Sequence, residues 1–347
     1  FLVSEFPSVS QTFILNQIVG LMDLGHDVHI FADKSGNTTT THGNYEKYDL
    51  SKHTHYYQLP KNWLVRIVRA IAFIVQYAPR HYDVIFRSLN VFRHGKQAWS
   101  LRLLFRSIPL LERERPFDII HCQFGPLGRR VVSLVPIRTR NHRIVTSIRG
   151  ADVTAVLKKH PGIYHDLFRE GHLFLPVCEF LKERLIREGC AEEKIVVHYS
   201  GIDCSKFEYL QRRREPGELT KVLTVARLME KKGVAFAIEA VAALLEKGEQ
   251  IEYRVVGDGP LRGNLQQMIE RMGIDRQVKL LGWKTHEDVK RLLEESHVMV
   301  APSLTSEGGD QEGIPNAIKE AMATGLPVIS TFHSGIPELV TDGVMGL

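Results

Sequence analysis

Cysteine is scarce in this chain: 347 residues hold four, Cys122, Cys178, Cys190 and Cys204. They form no Cys-x-x-Cys pair and no metal-ligand spacing, which argues against a zinc ribbon and against a disulfide scaffold. Reduced thiols fit a chain of this size and a cytosolic setting. Long hydrophobic runs are missing too. The most apolar stretch, Trp63 to Val75, is broken by Arg66 and Arg69, so no membrane-spanning helix is expected, since that takes ~18 apolar residues in a row. There is no starting Met and no basic-then-apolar leader. "FLVSEF" reads as the end of a strand and "TDGVMGL" stops in a loop, so both termini are expected to be cut. The missing leader is therefore weak evidence about location. His53 and His55 have no Cys or carboxylate beside them in a motif, and a surface loop is the expected reading. Acidic residues are thin in one region. Residues 51–150 carry 18 Lys and Arg against 4 Asp and Glu, whereas 301–347 carry one Lys against six acids. Within a net charge of only +5, that asymmetry concerns partners rather than fold.

What is present is ordinary for a globular protein: 44% hydrophobic and 24% charged residues. The length suits two domains. Short β-branched runs read as strands: "DVHIFA", "FDIIHCQF", "RIVTSIR", "LFLPVC" and "KIVVHYS". Stretches of helical period lie between several of them, one running through Phe13, Ile14, Ile18, Leu21 and Met22 to a stop near Gly25. A polar segment around residues 206–220, with Arg212 to Arg214, Pro216 and Gly217, reads as a linker. The alternation then restarts with "VLTVAR", "IEYRVVGDG", "VKLLGW", "VMVAPS" and "PVIST", separated by helices at Val234–Leu245, Leu261–Met272, Glu287–Glu295 and Pro315–Ala323. The expected fold is α/β: two doubly wound, Rossmann-like domains, residues 1–205 and 221–347, facing each other across a cleft. Ligands of such sheets bind beyond the carboxyl ends of the strands.

The stretch "SEGGDQEGIPNAIKEAMATGLPVIS" carries the chemistry. Pro315 suits a first helical position, so "GIPN" lies at a helix start with free N–H groups and a positive dipole end. Glu312 precedes it. Glu320 lies ~7–8 Å along the axis from the helix start at ~1.5 Å per residue. Two carboxylates flanking an anion-attracting helix start suit a ligand with hydroxyls on both sides of a diphosphate, and a nucleotide sugar is such a ligand. A surface helix with two solvated glutamates would look similar. "VARLMEKKG" sets Arg227 and Lys232 just after a strand, where they can clamp phosphate oxygens; otherwise it is a basic loop. "VVGDGP" gives a turn through Gly257 and Gly259 that lets backbone approach a ligand, but it lacks the full dinucleotide glycine spacing.

These segments, with "EGIPNAIKEAMATGLPVISTFHSGIPELVTDG", resemble the C-terminal domain of glycosyltransferase family 4, retaining enzymes of the GT-B fold. "SEFPSVSQTFILNQI", "DIIHCQFGPLG", "IRGADVT" and "CEFLKERLIREGCAEEKIVVHYSGID" resemble more loosely the branch that builds bacterial exopolysaccharides such as colanic acid. The resemblance covers nearly the whole chain. It implies that Glu312 would hold donor-sugar hydroxyls and Glu320 the ribose. Arg227 and Lys232 would neutralise the diphosphate and stabilise the leaving group as negative charge grows. Amides of Gly313, Ile314, Pro315's neighbours and Asn316 would add to this, and Gly282 and Trp283 would lie by the base. Ser8, Ser10 and Gln11, in the loop "FPSVSQTF", would close over phosphates and acceptor, with His121, Arg149 and Asp152 as further acceptor or cleft candidates. The chain departs from the family pattern at Arg149, where His is usual, and at Gln11 and Gln123, where related enzymes often have Glu and His. Arg149 cannot serve as a base at neutral pH. A front-face mechanism tolerates that, because the departing phosphate oxygen takes the acceptor proton. His121 is expected to cap a strand end rather than act as a base. No Asp-x-Asp motif stands near the donor site and Asp310 alone makes a poor Mg²⁺ site, so metal-independent transfer without a cofactor is expected.

The implied reaction moves a hexose from a UDP-sugar or GDP-sugar to a saccharide or lipid-linked acceptor. A nucleotide-sugar epimerase on the same fold, and a catalytically weak homologue that binds nucleotide sugar as a partner subunit, are the alternatives. Residues 61–115 interleave Arg with Trp63, Phe73, Tyr77, Tyr82, Phe86, Phe92, Trp99 and Phe105. No nucleic-acid motif is present. Docking on an anionic membrane surface fits, in a cytoplasmic enzyme peripheral to the inner face of the membrane.

Overall fold

The computed structural model describes residues 1–8, 11–36, 43–111, 117–134, 142–212, 215 and 217–347. Ser10 and the linker residues Arg213, Arg214 and Pro216 lie outside the described residues. The chain divides into two compact units. One comprises Phe1–Ile148, Gly162–Pro176 and Leu185–Val196; the other comprises Arg149–Pro161, Val177–Arg184 and Val197–Leu347.

The first unit holds a six-stranded sheet of β1 (Leu2–Phe6), β2 (Ile30–Ser35), β3 (Thr54–Tyr56), β4 (Ile119–Gln123), β5 (Arg143–Ile148) and β6 (Leu173–Pro176). The order is β3-β2-β1-β4-β5-β6 and every pairing is parallel. The order reverses between β1 and β4. The helix Thr12–Asp23 buries Ile14, Leu15, Ile18 and Val19 against Val3, Phe6, Ile30 and Ala32. Each such side chain contributes about 1.5–3 kcal/mol on full burial. The chain leaves this helix through Gly25 at φ +84.

Two sequence expectations need correction here. "KIVVHYS" is not a strand: it makes one bridge, Phe174 to Ile195, and Val196 and Tyr199 stay exposed. A β-branched run without a neighbour to complete its ladder does not become a strand. Conversely, His55 lies in β3 rather than in a loop, because Thr54, His55 and Tyr56 add in register to Ile30, Phe31 and Ala32 at the sheet's edge.

The basic region forms a helical layer. Trp63–Leu89 is interrupted by Pro79 and by the non-helical His81, so it is two helical pieces across a kink. Its inner face packs Ala70, Phe73, Ile74 and Tyr77 against Leu104, Phe105 and Ile108 of the helix Arg102–Leu111. Its outer face carries Leu64, Val68, Ile71 and Val75, between 56 and 72% exposed. Their spacing of four, three and four residues makes them one stripe. Phe73, Tyr77 and Phe105 therefore serve the core, while Tyr82, Phe86, Phe92 and Trp99 face solvent. No helix among the described residues is long and apolar enough to cross a membrane.

The second unit's sheet contains β7 (Thr220–Val225), β8 (Ile251–Val256), β9 (Val278–Gly282), β10 (Val298–Ala301) and β11 (Val328–Ser330). Its order is β11-β10-β7-β8-β9, again all parallel. Apolar clusters cover both faces, one built on Ile238, Tyr253 and Val255 and the other on Leu223, Leu293 and Ile318. The chain runs from β7 outward to β9 and then returns to the other side of β7 as β10. The carboxyl ends of β7 and β10 thus flank the point where the winding direction reverses, the usual ligand position in open α/β sheets.

Candidate functional site

Two loops meet at that reversal. The loop after β7 runs from Ala226 through a 3-10 turn at Glu230–Lys232 to Gly233, which has φ +62. A Cβ on Gly233 would stand 1.8 Å from the carbonyl oxygen of Pro302, at the start of the loop after β10. On the other side, Gly257 at φ +127 lets the turn after β8 touch the same β7 loop. A Cβ there would stand 1.9 Å from the Ala226 oxygen. Its N–H donates to the Gly282 carbonyl at 2.8 Å. Gly259 packs on Leu228 in the same way. Of these glycines, Gly257 and Gly259 were expected to let backbone approach a ligand, and Gly233 carried no expectation. In the structure they bring protein loops together, and so fix the backbone on either side of Arg227.

Within this frame Lys232 Nζ lies 3.1 Å and Lys231 Nζ 3.2 Å from Glu312 Oε1, and Lys231 also meets Asp310 at 3.0 Å. All four side chains are largely buried. Burial pushes the Glu312 carboxyl up, but Lys232 and Lys231 together hold it below its ordinary value. Burial also works against the charge on Lys231, yet Glu312 and Asp310 leave it raised. The Glu312 amide donates to His333 Nε2 at 3.4 Å, and Ser334 Oγ donates to the Glu312 carbonyl at 2.5 Å. Burial keeps the His333 ring toward its neutral form, which an accepting Nε2 requires. Arg227 stays exposed and has no ion-pair partner among the described residues.

The helix after Glu312 spans Asn316–Ala323. Pro315 is its N-cap, with ψ 128, rather than its first helical residue, and no side chain caps the end. Its first amides are therefore open to an acceptor. Gly313 is buried where a Cβ would stand 2.5 Å from Val177 and 3.2 Å from the Arg149 carbonyl; Ile314 packs at Gly335. Glu320 is half-buried in the helix. Burial raises its carboxyl, opposed by His286 and Lys319.

Arg149 and Asp152 belong to this same unit. Asp152 Oδ1 accepts from the amides of Arg149 at 3.1 Å and Gly150 at 2.9 Å. A Cβ on Gly150 would stand 2.5 Å from the Gln311 oxygen, so this turn lies directly against the Glu312 loop. The Arg149 guanidinium donates to Ser200 Oγ at 2.9 Å, and Lys319 Nζ donates to the Ser200 carbonyl and, at 3.3 Å, to Asn316 Oδ1. Burial pushes Arg149 down to about 10. Burial, reinforced by Arg149, pushes Lys319 down to about 8. Two cations thus converge beside an uncapped helix start.

Of the remaining candidates, Trp283 stands half-exposed just past β9. Ser8, Gln11 and His121 belong to the first unit. Gln11 is the N-cap of Thr12–Asp23, its amide donating to the Ser8 carbonyl at 3.1 Å. His121 is not a strand-end cap: it is buried in the middle of β4, its Nε2 2.8 Å from Ser147 Oγ on β5. Gln123 donates to Gln17 Oε1 at 2.9 Å. Sequence reading passed over Lys231, Lys319, Ser200 and His333. Lys231 had a visible signal, the second lysine of "EKKG"; the other three depend on contacts between distant segments.

The glycosyltransferase family 4 profile matches residues 10–206, and the profile for glycosyl transferases group 1 matches residues 205–347. The putative colanic acid biosynthesis glycosyltransferase WcaL of Salmonella typhimurium is 37% identical, with 100% of this chain covering 85% of that protein. The amylovoran biosynthesis glycosyltransferase AmsK of Erwinia amylovora is 37% identical at the same coverage. Anabaena HepE, solved with UDP and glucose, superposes with TM-score 0.67 at 19% identity, over 100% of this chain and 84% of that one. The lipopolysaccharide outer core galactosyltransferase WaaB gives 0.62 at 17% identity, over 99% and 83%. The two parallel-sheet, Rossmann-like domains are those of the GT-B fold. With matches that run end to end, the chain belongs to glycosyltransferase family 4 and is a glycosyltransferase.

Proposed function

We propose that the protein transfers a hexose, with retention, from a UDP-sugar or GDP-sugar to a saccharide or lipid-linked acceptor in exopolysaccharide biosynthesis. The observation that carries this reading is the placement of Glu312 between Lys231 and Lys232, at the β7/β10 reversal and next to the uncapped helix start at Asn316. In the proposal the donor's diphosphate takes over Lys232 and draws in the exposed Arg227. Glu312, released from its lysine, accepts hydroxyls of the sugar. Glu320 accepts from the ribose, while the turn of Gly257 and Gly259 with Gly282 and Trp283 borders the base. The fixed cations and open amides oppose the negative charge that grows on the leaving diphosphate. They supply the stabilisation a divalent ion would otherwise give, so transfer is proposed to be metal-independent. Arg149 and Lys319 extend the positive field toward the reacting end. The leaving phosphate oxygen accepts the acceptor's proton, which asks for no side-chain base.

The relatives' names support polysaccharide assembly, and UDP in HepE makes uridine the first base to test. Peripheral docking on an anionic membrane belongs to the same proposal. The stripe of Leu64, Val68, Ile71 and Val75 is an exposed apolar face of a helix that also carries the exposed Arg69 and Arg80, and apolar faces on cationic helices can settle into a headgroup region. Incubation with UDP- and GDP-hexoses tests the reaction: release of nucleoside diphosphate with a product of unchanged anomeric configuration is expected. Conversion of the donor to an epimer, or binding without release, contradicts it.

A further inference from the structure

The segment read from the sequence as a linker, residues 206–220, is docked on the second unit over its first half. Phe207 joins the apolar cluster of Leu293, Ile318 and Ala321, and its ring meets that of His286 edge-on, with centroids 5.8 Å apart. The Leu210 amide donates to the Thr324 carbonyl at 3.1 Å. Gly325, at φ +73, lies so close to the Leu210 carbonyl that a Cβ would stand 2.8 Å from its oxygen. Arg212 ends the docked run. Its Nη1 donates to the carbonyls of Glu294, at 2.8 Å, and of Ser296. Its Nη2 donates to the carbonyl and to the hydroxyl of Thr324, both at 3.3 Å.

One guanidinium thus closes the carboxyl ends of two helices, His286–Glu295 and Asn316–Ala323. We propose that Arg212 is a positioning residue for the donor site: by clamping these two carboxyl ends it fixes the two amino ends, one at the diphosphate and one beside Glu320. The proposal rests on the reading above, that the helix start at Asn316 receives the donor's diphosphate and Glu320 its ribose.

Hydrogen bonding is the first argument. The last carbonyls of a helix have no donor within the helix, and that end carries the negative pole of the dipole. Among the described residues Arg212 meets carbonyls and one hydroxyl rather than a carboxylate, so its charge serves the helix ends. A planar fork with fixed donor directions sets the distance between two helices, which a single ammonium does not. The second argument is burial. Ser296 and Thr324 are buried, and their hydroxyls turn back to Leu292 and Ala321 of their own helices. Water has little access to replace the fork there, and a carbonyl left unpaired would pay its full desolvation. The third argument is reach. At ~1.5 Å per residue the Asn316 start stands ~12 Å from the clamp at Thr324, along one short, straight helix. Glu320 and Lys319 ride on that helix. The other helix brings His286 close enough for its charge to act on the Glu320 carboxyl. A shift at the clamped ends therefore moves the groups assigned to the donor.

The test uses the full chain, well below its melting midpoint, and two readouts: UDP affinity, and hydrogen exchange of the amides of residues 286–290 and 316–320. Arg212→Gln should weaken UDP binding roughly tenfold, the scale of losing hydrogen bonds from a charged donor, and should speed exchange at both helix starts. Arg212→Lys should recover only part of each, because its ammonium cannot span both helix ends. Arg271→Gln removes an exposed cation from the end of the helix Arg262–Arg271 and should change neither. A lower melting midpoint in Arg212→Gln with UDP affinity unchanged, or with exchange at the helix starts unchanged, would overturn the proposal, since Arg212 would then only hold the linker. Full recovery by lysine would overturn the role of the fork. Failure of the unaltered chain to bind UDP strikes the donor reading instead, and the exchange rates then decide, without ligand, whether Arg212 orders the helix starts.

Discussion

Lys232 and Glu312 sit on loops after different strands, yet their charged ends stand 3.1 Å apart, nearly out of solvent. Breaking a buried pair by removing one partner leaves an uncompensated charge and costs about 3–5 kcal/mol in a fully buried setting. Glu312→Ala leaves Lys231 with Asp310, so a smaller loss, about 2 kcal/mol, is expected in denaturant unfolding of the second unit. A loss under a few tenths of a kcal/mol would mean that the cluster does not hold the loops together.

The same carboxyl sets an acid dependence. Its folded value lies below the ordinary 4.5, despite burial, because Lys232 and Lys231 favour the charged form. The stabilisation is therefore complete above pH 4.5 and is lost as pH falls through the lower, folded value. Melting curves of the unaltered chain and of Glu312→Gln should converge as pH drops below 4.5. Curves that stay parallel would contradict the pairing.

Lys319 gives a dependence at the other end of the scale. Its folded value of about 8 lies below the ordinary 10.5, chiefly through burial. A lowered lysine binds fewer protons in the folded state, so its destabilising effect is full below about 8 and fades as pH rises toward 10.5. A bound diphosphate nearby would restore the proton. Nucleotide affinity should then fall as pH rises through 8, with proton uptake visible as buffer-dependent heat, and Lys319→Met should abolish that uptake. Equal uptake in the variant would remove Lys319 from the anion's neighbourhood.

Gly257 offers a backbone test. At φ +127, with the Ala226 oxygen 1.9 Å from where a Cβ would stand, alanine forces the β7 and β8 loops apart. Such strain costs of order 1–3 kcal/mol. Gly257→Ala should weaken UDP binding more than tenfold with the fold retained. Gly263→Ala, where a Cβ meets open space, should not.

Vesicle flotation tests the helical layer. Leu64→Asn with Val68→Asn should lower recovery on anionic liposomes several-fold. Equal binding to neutral and anionic liposomes, or no binding at all, would exclude the membrane part of the proposal.

Much of this arrangement was legible in the residues. The alternation from "VLTVAR" to "PVIST" produced strands β7 to β11 where expected, because fully buried parallel strands advertise themselves as β-branched runs bounded by glycine. Glu312 stood out because it precedes a helix start, and Lys232 because it follows a strand. Contacts closed by topology were not legible. Ser200 joins Arg149 to Lys319 through three distant segments, and Arg212 meets two helix ends far along the chain. No local pattern encodes such meetings. "KIVVHYS" misled because β-propensity describes a half-buried surface rather than the presence of a partner strand.

The central claim is that Glu312 grips the donor's sugar while the diphosphate is held by others, and thermal stabilisation of Glu312→Ala by UDP and by UDP-hexose measures it directly. The account predicts that UDP still raises the melting midpoint, nearly as in the unaltered chain, while the extra rise from the sugar disappears. Equal losses for both ligands would contradict it.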